Sequence, residues 1–476
     1  MSVETVTYGH LIDGVWRIPG TTIPVLNKFT GKEFARIGAA SRQDVTDAVS
    51  AAAAAYKSRP ISPYDRYQIL MRAAELFKDR KEDLSRILVT EAGKVWKDAR
   101  AEIDRGIQTF IASAEEAKRI AGEGIPLAQP GHEHKLAFTV RVPVGVVAAI
   151  SPFNYPFNLT AHKVAPAIAA GNAVVLKPAA ATPVIACVMA DILAEAGLPA
   201  GYVNVVNGAG RDTGEYLLED DRISLYTFTG SPEVGQHVKS KTGIRKVTLE
   251  LGNNSPNIVH ADAPDVGKAA ELCVRHGFSN AGQTCISVQR VYVHRSILEP
   301  FLQSAVEVAR SLVVGDPADP LSDIGPMISE KEAERAHSWI QEAVSEGARI
   351  AVGGQRLGAV LQPTILVDVR PNMRVVCQEV FAPVISILPY DDIQEAFKQA
   401  NDSHFGLQAG VFTSNLQLAM QAVRELEFGG VIINDVSNYR IDAMPYGGIK
   451  NSGIGKEGPR YTVQEMTDER LVVINL

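Results

Sequence analysis

The chain has 476 residues, of which 46% are hydrophobic and 21% charged, and its formal net charge is −7. This length exceeds the roughly 100–200 residues of one domain and predicts at least two domains with a cleft between them. The acidic balance excludes the electrostatic footprint of a nucleic-acid-binding or membrane-binding protein, so we expect a small-molecule partner.

The first half of the chain changes from helices to alternating strands and helices. Residues 44–120 have apolar side chains at helical spacing and predict a helical lead-in. Strands are then predicted at 145–150, 173–177, 203–206, 223–228 and 246–250, with helices at 158–170, 183–196, 212–219 and 231–241. This alternation predicts βαβ units in a mainly parallel, doubly wound sheet, whose carboxyl strand ends form a ligand-binding rim.

A second α/β pattern runs from about 253 to 440 and predicts a second domain that faces the first. Its predicted helices lie at 265–277, 297–312, 330–346 and 392–401, and its predicted strands at 288–293, 382–388 and 430–433. Residues 132–143 and the C-terminal DERLVVINL alternate like strands but belong to neither layer. An extension that pairs strands between subunits would use them, which hints at oligomerisation.

The four cysteines are far apart, without a CxxC pair or a zinc-like histidine spacing. With no basic-then-apolar leader and no run of about 18 apolar residues, we expect free thiols, no metal site and a cytoplasmic protein. Cys187 and Cys273 lie on apolar helical faces and are predicted to be core residues. Cys285 follows a Gly-Gln-Thr turn whose N–H groups could face a reacting oxygen, so a nucleophile and a buried structural cysteine are about equally supported.

Three polar residues lie at or just past the ends of predicted strands of the first sheet. Glu250 is a candidate general base, although a surface glutamate at a strand exit is common. Asn154, between prolines, is either an oxyanion donor or a turn former. Lys177 is either a ribose or phosphate contact or a solvated lysine.

Two glycine-rich segments are candidate phosphate contacts. GAGRDTG at 208–214 has GxGxxxG spacing and follows the third strand, which makes it a weak dinucleotide signal. GSPEVG at 230–235 follows a strand and opens a helix, an arrangement that suits a pyrophosphate. It lacks the Lys-Ser or Lys-Thr of a P-loop, so nucleotide hydrolysis is not predicted.

The ordered motifs PFNYPFN, VLKPAAATP, FTGSPEVG, LELGNNSPN, NAGQTC and EVFAPV resemble those of the aldehyde dehydrogenase superfamily over nearly the whole chain. The resemblance implies an α/β fold with two doubly wound α/β domains and a small β oligomerisation extension, in a homodimer or homotetramer. The dinucleotide-binding domain would comprise 1–127 and 147–252, the catalytic domain 253–442, and the extension 128–146 and 456–476.

The same resemblance implies a mechanism. Cys285 in GQTC matches the family nucleophile, Glu250 in LELG the general base, and Asn154 in PFN the oxyanion donor that acts with the Cys285 N–H. Thiolate attack on an aldehyde would give a thiohemiacetal, and loss of hydride to a nicotinamide would leave a thioester. Glu250 would then activate the water that hydrolyses the thioester.

The implied cofactor is NADP or NAD. Lys177 matches the adenine-ribose contact, Gly230 and Ser231 the pyrophosphate turn, and Glu379 and Phe381 the nicotinamide-ribose contacts. The other residues expected to line the groove are Ile150, Ser151, Phe153, Ala179, Ala180, Gly210, Val234 and Leu251. NAD-preferring members often carry a glutamate where this chain has Ala180, and without that charge a 2′-phosphate is not repelled, which favours NADP acceptance.

Further motifs narrow the substrate class. NYRIDAMPYGGIKNSGIGKEGPRY and the segment around Arg105 resemble the branch of lactaldehyde, glycolaldehyde, succinate-semialdehyde and phosphonoacetaldehyde or sulfolactaldehyde dehydrogenases, which implies a small polar or anionic aldehyde. Arg105 and Arg440 could clamp an anionic tail, although a surface ion pair with Glu102 or Asp104 explains Arg105 equally well. The remaining expected substrate residues are Phe157 and Thr284.

Three residues in two motifs depart from the patterns of the family. Thr284 stands where the phosphonoacetaldehyde type carries arginine, which argues against a phosphonate. Asn253 and Asn254 replace the commoner Gly-Lys after LELG, which leaves the role of Glu250 intact.

Two alternatives compete with this interpretation. An acylating enzyme would pass the thioester to coenzyme A, but Glu250 at the hydrolytic position argues against it. A non-catalytic binding protein on the same fold would not need Cys285, Glu250 and Asn154 together.

Overall fold

The computed structural model describes residues 6–476. Its strands, in chain order, are β1 (Val6–Tyr8), β2 (His10–Ile12), β3 (Val15–Arg17), β4 (Thr22–Leu26), β5 (Glu33–Gly38), β6 (Gly124–Ile125), β7 (Lys135–Pro143), β8 (Val146–Ile150), β9 (Ala173–Lys177), β10 (Val203–Val205), β11 (Leu225–Thr229), β12 (Lys246–Glu250), β13 (Pro256–Val259), β14 (Arg290–His294), β15 (Arg349–Val352), β16 (Arg356–Leu357), β17 (Val360–Leu361), β18 (Thr364–Val367), β19 (Val384–Tyr390), β20 (Phe405–Gly406), β21 (Gln408–Phe412), β22 (Gly430–Ile433), β23 (Ile449–Lys450), β24 (Gly453–Ile454) and β25 (Thr467–Asn475). The helices are α1 (Arg42–Ser58), α2 (Pro63–Asp79), α3 (Lys81–Ala92), α4 (Trp96–Ala117), α5 (Asn158–Ala170), α6 (Val184–Glu195), α7 (Gly210–Leu218), α8 (Pro232–Thr242), α9 (Val266–Phe278), α10 (Leu298–Ser311), α11 (Glu330–Ser345), α12 (Arg374–Cys377), α13 (Ile393–Asn401), α14 (Leu416–Glu425) and α15 (Pro459–Glu465).

The first large sheet has eight strands in the order β24-β12-β11-β8-β9-β10-β2-β3. The five strands from β12 to β10 in this order run parallel and are the five that the sequence predicts. Strands β8 and β9 are buried along their whole length, which explains their unbroken apolar sequences. The predicted doubly wound α/β fold is therefore confirmed.

The second large sheet has seven strands in the order β15-β18-β19-β14-β13-β21-β22, and only β15 runs antiparallel to its neighbour. The sequence predicts β14, β19 and β22. It misses β15, β18, the four-residue β13, which starts at a proline, and β21, whose Gln-Ala-Gly start has low β-propensity.

Each large sheet has its own hydrophobic core. The core of the first sheet draws on residues between 11 and 251, together with Val463 and Met466, and that of the second on residues between 258 and 436. The domain limits given above remain a prediction.

The two orphan segments pair with each other. Strand β25 lies antiparallel to β7 over nine residue pairs, from Thr467 opposite Pro143 to Asn475 opposite Lys135. Strand β6 pairs with the other side of β7, so β25 is an edge strand of this three-stranded sheet. An N-terminal sheet, β1-β5-β4, was not predicted. Within residues 6–476 we find no helix that is both long and apolar enough to cross a membrane.

Candidate active site

A left-handed turn presents Cys285. Asn280, Ala281 and Gly282 have φ angles of 52°, 54° and 70°. A Cβ on Gly282 would lie 2.0 Å from the Ala382 carbonyl oxygen, so no larger residue fits there. The Asn280 side-chain amide donates to the carbonyl oxygens of Asn154 at 3.1 Å and Gln283 at 3.2 Å, which fixes the turn just before the thiol.

Asn154 lies beside this turn, on the loop that follows β8. Its Nδ2 donates to the Gln283 carbonyl oxygen at 2.9 Å, and the residue is buried. The structure therefore brings the predicted oxyanion donor to the backbone that immediately precedes Cys285.

The Cys285 thiol is partly exposed and has a hydroxyl neighbour. Its Sγ lies 2.7 Å from the hydroxyl oxygen of Tyr446. Burial raises the pKa of the Cys285 thiol to about 11, the Tyr446 hydrogen bond and the Arg440 charge oppose this rise, and Glu250 adds to it. At neutral pH the thiol therefore holds its proton until a base or a change in its surroundings removes it.

Glu250 ends β12 with its carboxyl group buried. Neither carboxyl oxygen has a hydrogen-bond partner within residues 6–476, and a Cβ on Gly447 would lie only 3.0 Å from Oε1. Burial and the charge of Glu457 raise the pKa of Glu250 well above its usual value, against the opposing charges of Arg440 and Lys163. A buried carboxyl group with two free acceptors can take a proton from a water molecule or a thiol.

A buried ionic cluster lies beneath the thiol and Glu250. Glu457 accepts from Lys163 at 3.1 Å and from Arg440 at 3.2 Å. Burial alone would raise the pKa of Glu457. The neighbouring Lys163, together with His162 and Arg440, outweighs burial and lowers this pKa to about 2. The Arg440 guanidinium carbon lies 3.7 Å from the centroid of the Tyr446 ring.

Asp442 gathers several donors at the other end of this cluster. It accepts from Arg105 Nε at 3.0 Å and Nη2 at 2.9 Å, from the Asn158 amide at 2.9 Å, and it lies 2.8 Å from His162 Nε2. Burial opposes ionisation of Asp442, but the His162 hydrogen bond and the Arg105 charge hold its pKa far below the usual range. The buried charged side chains of this cluster, which we call the floor of the site, are therefore held in fixed positions.

Arg105 is tied to the cluster but remains open on one edge. Its side chain is 32% exposed, and Nη1 has no hydrogen-bond partner among the residues that the structure describes. Its guanidinium carbon lies 5.7 Å from the centroid of the Tyr155 ring, and the Tyr155 hydroxyl lies 3.2 Å from Thr284 Oγ1. The interpretation of Arg105 as a surface ion pair with its helix neighbours is wrong, because Glu102 pairs with Lys94 and Asp104 with Lys81.

The structure places Phe157 away from the other expected substrate residues. Its ring is completely buried, 5.2 Å from the Phe77 ring, and it fills the space next to Gly106. A ring enclosed in the core cannot contact an aldehyde, so we correct this expectation and assign Phe157 to packing.

The predicted nicotinamide-ribose contacts border the thiol. A cavity of about 10 Å³ is lined by Asn253, Thr284, Cys285, Glu379 and Phe381, among others. Glu379 accepts from the Asn253 N–H at 2.8 Å, and burial raises the pKa of Glu379 to about 7. The Phe381 ring, on a residue with φ of 51°, stands perpendicular to Phe153 at 6.0 Å.

The comparisons agree with this geometry. The model of the aldehyde dehydrogenase family matches residues 16–472. The chain belongs to the aldehyde dehydrogenase family. The 3-sulfolactaldehyde dehydrogenase of Priestia megaterium is 53% identical over 470 residues, which is 98% of each chain, and the lactaldehyde dehydrogenase of Methanocaldococcus jannaschii is 39% identical over 98% of this chain and 99% of its own.

Solved structures of the family have the same fold. Aldehyde dehydrogenase 21 of Physcomitrella patens, in complex with succinate, has a TM-score of 0.96 and 37% identity and covers 99% of both chains. The glyceraldehyde-3-phosphate dehydrogenase of Methanocaldococcus jannaschii, in complex with NADP, has a TM-score of 0.93 and 38% identity and covers 96% of this chain and 100% of its own. The predicted family, fold and enzyme class are thus confirmed.

In this aldehyde dehydrogenase the expected adenine-side cofactor residues share one edge of the first sheet. Lys177 ends β9, and within residues 6–476 its side chain has only the Pro178 carbonyl oxygen as a hydrogen-bond partner, at 3.2 Å; burial lowers its pKa to about 8. Its carbonyl oxygen accepts from the Ser151 N–H, which follows the end of β8 at Ile150. Ala179 and Ala180 come next and are partly exposed.

Helix α8 of this aldehyde dehydrogenase begins at the expected pyrophosphate turn. Ser231 caps the helix by accepting from the Val234 N–H, and Val234 is 47% exposed. Gly230 approaches the Phe228 ring closely, and Leu251 fills the space next to Gly235. Gly210, the first residue of α7, is exposed.

The sequence analysis missed several residues of the site. Tyr446, Asp442 and Glu457 all lie in NYRIDAMPYGGIKNSGIGKEGPRY, which was used only for its resemblance to a substrate branch. His162 and Lys163 lie on α5, which is buried on every side. A charged residue in such a helix signals a buried partner, and that signal was available from the sequence.

Proposed function

We propose that this aldehyde dehydrogenase oxidises a small anionic aldehyde to its carboxylate with NADP or NAD, and that 3-sulfolactaldehyde is the first candidate substrate. The observation that carries the proposal is the position of Arg105: Asp442 holds its guanidinium through two hydrogen bonds, the Tyr155 ring lies beside it, and the Tyr155 hydroxyl contacts Thr284, the residue before Cys285. A guanidinium held in this way binds an anionic oxygen without having to be ordered first.

The ion pairs of the floor bear on the choice of substrate. Arg105, Arg440 and Lys163 pair with the two carboxylates of Asp442 and Glu457, and the further carboxyl group of Glu250 lies near Arg440 and Lys163. A sulfonate or carboxylate tail would give the partly exposed Arg105 an anionic partner, whereas a neutral aldehyde would not.

The proposed chemistry uses three protein groups. Cys285 Sγ, as a thiolate, forms a bond to the aldehyde carbon, and the negative charge moves to the aldehyde oxygen. The Cys285 N–H and the Asn154 side-chain amide stabilise that oxyanion. After oxidation to the thioester, Glu250 takes a proton from water, the hydroxide attacks the acyl carbon, and the carbon–sulfur bond breaks to release the carboxylate and the thiolate.

The residues of the first sheet suit a dinucleotide. Besides the nearly unpartnered Lys177 and the open N-terminus of α8, Thr229 carries a buried hydroxyl without a partner in residues 6–476. We propose that Lys177 and Ser231 hold the adenosine and pyrophosphate parts and that Glu379 and Phe381 contact the nicotinamide ribose. When bound, the cofactor supplies the acceptor for the hydride that leaves the substrate.

A substrate panel tests this proposal. 3-Sulfolactaldehyde, succinate semialdehyde, lactaldehyde and propionaldehyde would be assayed with saturating NAD or NADP, and the products identified with and without coenzyme A. We expect free carboxylates without coenzyme A, and a kcat/KM for the anionic aldehydes at least about tenfold above that of lactaldehyde, which corresponds to one net ionic contact of about 1.4 kcal/mol. Equal values for lactaldehyde, or a product formed only with coenzyme A, would overturn the proposal.

We also propose a homo-oligomer in which β25 contacts a second copy. This edge strand carries the exposed apolar side chains Leu471 (60%) and Val473 (51%). A long apolar edge strand left open would promote aggregation, so a second subunit is the natural cover. Light scattering of Leu471→Lys and Val473→Lys should show a smaller assembly than the wild type, and an unchanged mass would refute this contact.

We further propose a cytoplasmic location. All four cysteines are free thiols, and Cys187 and Cys285 lie in separate surroundings that offer no disulfide partner. Free thiols persist in a reducing compartment. Cell fractionation with an antibody to the chain tests this location, and recovery in a secreted fraction would contradict it.

A further inference from the structure

Tyr446 touches the reacting sulfur directly. Its hydroxyl oxygen lies 2.7 Å from Cys285 Sγ, and its side chain is almost completely buried, with 2% exposed. The residue lies in the segment 443–455, to which the sequence analysis assigned no domain. A hydroxyl in hydrogen-bond contact with a nucleophile changes the stability of its ionised form.

Three sets of contacts hold Tyr446 in place. The Tyr446 N–H and carbonyl oxygen both pair with the backbone of Glu457, at 3.0 and 2.6 Å. The Tyr446 ring packs with Ile286 and Leu407 in a small apolar cluster. Arg440 covers the ring at 3.7 Å, so the phenol has little freedom to leave the sulfur.

The direction of the hydrogen bond is fixed once Cys285 is ionised. Burial, together with the neighbouring Cys285, raises the pKa of Tyr446 well above its usual value, so the phenol keeps its proton at working pH. A phenol that keeps its proton donates, and a thiolate can only accept. The cation on the ring face draws electron density from the ring and makes the hydroxyl a stronger donor.

We propose that Tyr446 is a catalytic residue that donates a hydrogen bond to the Cys285 thiolate, supported by the Arg440 cation on its ring. This inference rests on the proposed role of Cys285 as the nucleophile. Tyr446 keeps its own proton throughout, and a base removes the proton of the thiol. When the sulfur–carbon bond forms, the charge leaves the sulfur and the hydrogen bond weakens, and when the thioester is hydrolysed, the thiolate returns to the same donor.

Burial raises the pKa of the thiol most strongly, and four neighbouring groups modify this effect. Tyr446 and Arg440 favour the thiolate, whereas Glu250 and Glu379 disfavour it. Removal of the Tyr446 hydroxyl takes away one of the two favourable contacts and leaves the ring for Arg440 to cover. Tyr446→Phe is therefore a specific probe.

The test measures the alkylation of Cys285 by iodoacetamide against pH, in the enzyme without cofactor and with peptide mass spectrometry. In Tyr446→Phe we expect the apparent pKa of Cys285 to rise by about one unit or more, the shift that loss of a hydrogen bond to a charged group produces, so that alkylation at neutral pH slows about tenfold. Cys377, which lies elsewhere and is partly exposed, serves as an internal reference and should react at an unchanged rate. Tyr390→Phe removes a similarly buried hydroxyl, bonded to His260 at 2.9 Å, and should leave Cys285 unaffected.

A second measurement makes the hydroxyl of residue 446 a stronger hydrogen-bond donor instead of removing it. Incorporation of 3-fluorotyrosine at position 446 acidifies the phenol without changing its packing, and we expect the Cys285 pKa to fall. An unchanged Cys285 pKa in both proteins would overturn the role of Tyr446. Cys285→Ala tests the underlying function separately, because full activity of that variant would refute the nucleophile whatever Tyr446 does.

Discussion

Arg105 on α4 and Asp442 in the loop after β22 lie 337 residues apart in the sequence and meet through two hydrogen bonds, Nε to Oδ2 at 3.0 Å and Nη2 to Oδ1 at 2.9 Å. This two-point contact fixes the plane of the guanidinium and leaves Nη1 without a hydrogen-bond partner among residues 6–476. Because Asp442 is itself held by Asn158 and His162, the orientation of the Arg105 guanidinium is set before any substrate arrives.

Replacement of that guanidinium should change substrate preference more than catalysis. For Arg105→Gln we expect kcat/KM to fall about 10–100-fold for 3-sulfolactaldehyde and succinate semialdehyde, since a charge-assisted contact is worth about 1.5–3 kcal/mol. The value for lactaldehyde should change only a few-fold. Arg100→Gln is the matched control, because Arg100 lies on the same helix but pairs with Glu82 at the surface. Equal losses for charged and neutral aldehydes would contradict the specificity role of Arg105.

Loss of the Glu250 carboxylate should separate the two halves of the reaction. Its oxygens have no hydrogen-bond partner within residues 6–476, so Glu250→Gln breaks no hydrogen bond of the carboxylate. If the carboxylate acts in hydrolysis, mixing enzyme with substrate and NADP should give one equivalent of reduced cofactor per subunit and then almost no turnover. Mass spectrometry should find the acyl group on Cys285. Steady turnover without accumulation of acyl-enzyme would show that another base acts.

The raised pKa values predict how activity depends on pH. Glu250 acts as a base only when ionised, and because burial raises its pKa, the ionised fraction grows across a window above its usual value of 4.5. The Cys285 thiol, whose pKa lies at about 11, also gains thiolate as the pH rises. Both shifts have the same sign, so kcat and kcat/KM should increase from pH 6 to pH 9. A rate that falls over this interval, in an enzyme whose circular dichroism is unchanged, would be incompatible with both assignments.

The parallel strands were the predictable part of the fold. Strands β8, β9 and β12 are buried, rich in apolar residues and bounded by turn residues, and their positions agree with the predictions to within a residue. The short β13 and β24 were not predictable, because they gain stability from pairing with distant strands rather than from local pattern.

The site shows the same division. Cys285, Glu250 and Asn154 were singled out because of local features of the sequence. Glu250 and Asn154 lie at or just past a strand end, and Cys285 follows a turn. Asp442 and Tyr446 could not be found this way, since their roles depend on Arg105 and Cys285, which lie far from them in the chain. Local patterns identify where chemistry can occur, and long-range contacts decide which charges surround it.

Cofactor choice should respond to residue 180. Lys177 is buried with a lowered pKa and lacks a carboxylate partner within residues 6–476. A 2′-phosphate would therefore give its ammonium group an anionic partner. In Ala180→Glu a carboxylate would repel that phosphate, and we expect kcat/KM with NADP to fall at least about tenfold while the value with NAD is kept or rises. Ala180→Gln, which is the same size without the charge, controls for lost space. If both variants change NADP and NAD use equally, the charge of residue 180 does not select the cofactor.

The turn that presents Cys285 should tolerate no side chain at Gly282. An alanine there would place its Cβ 2.0 Å from the Ala382 carbonyl oxygen at a φ of 70°, so the backbone of the turn must shift. We expect Gly282→Ala to reduce kcat at least about 100-fold, because a small misplacement of a nucleophile is costly. It should also lower the free energy of unfolding by about 2 kcal/mol. Gly214→Ala is the control: this helical glycine has nothing within 4 Å of its added Cβ, and alanine should stabilise the helix by up to about 1 kcal/mol without loss of activity. Retention of activity in Gly282→Ala, measured together with its denaturation curve, would mean that the left-handed turn does not position the thiol.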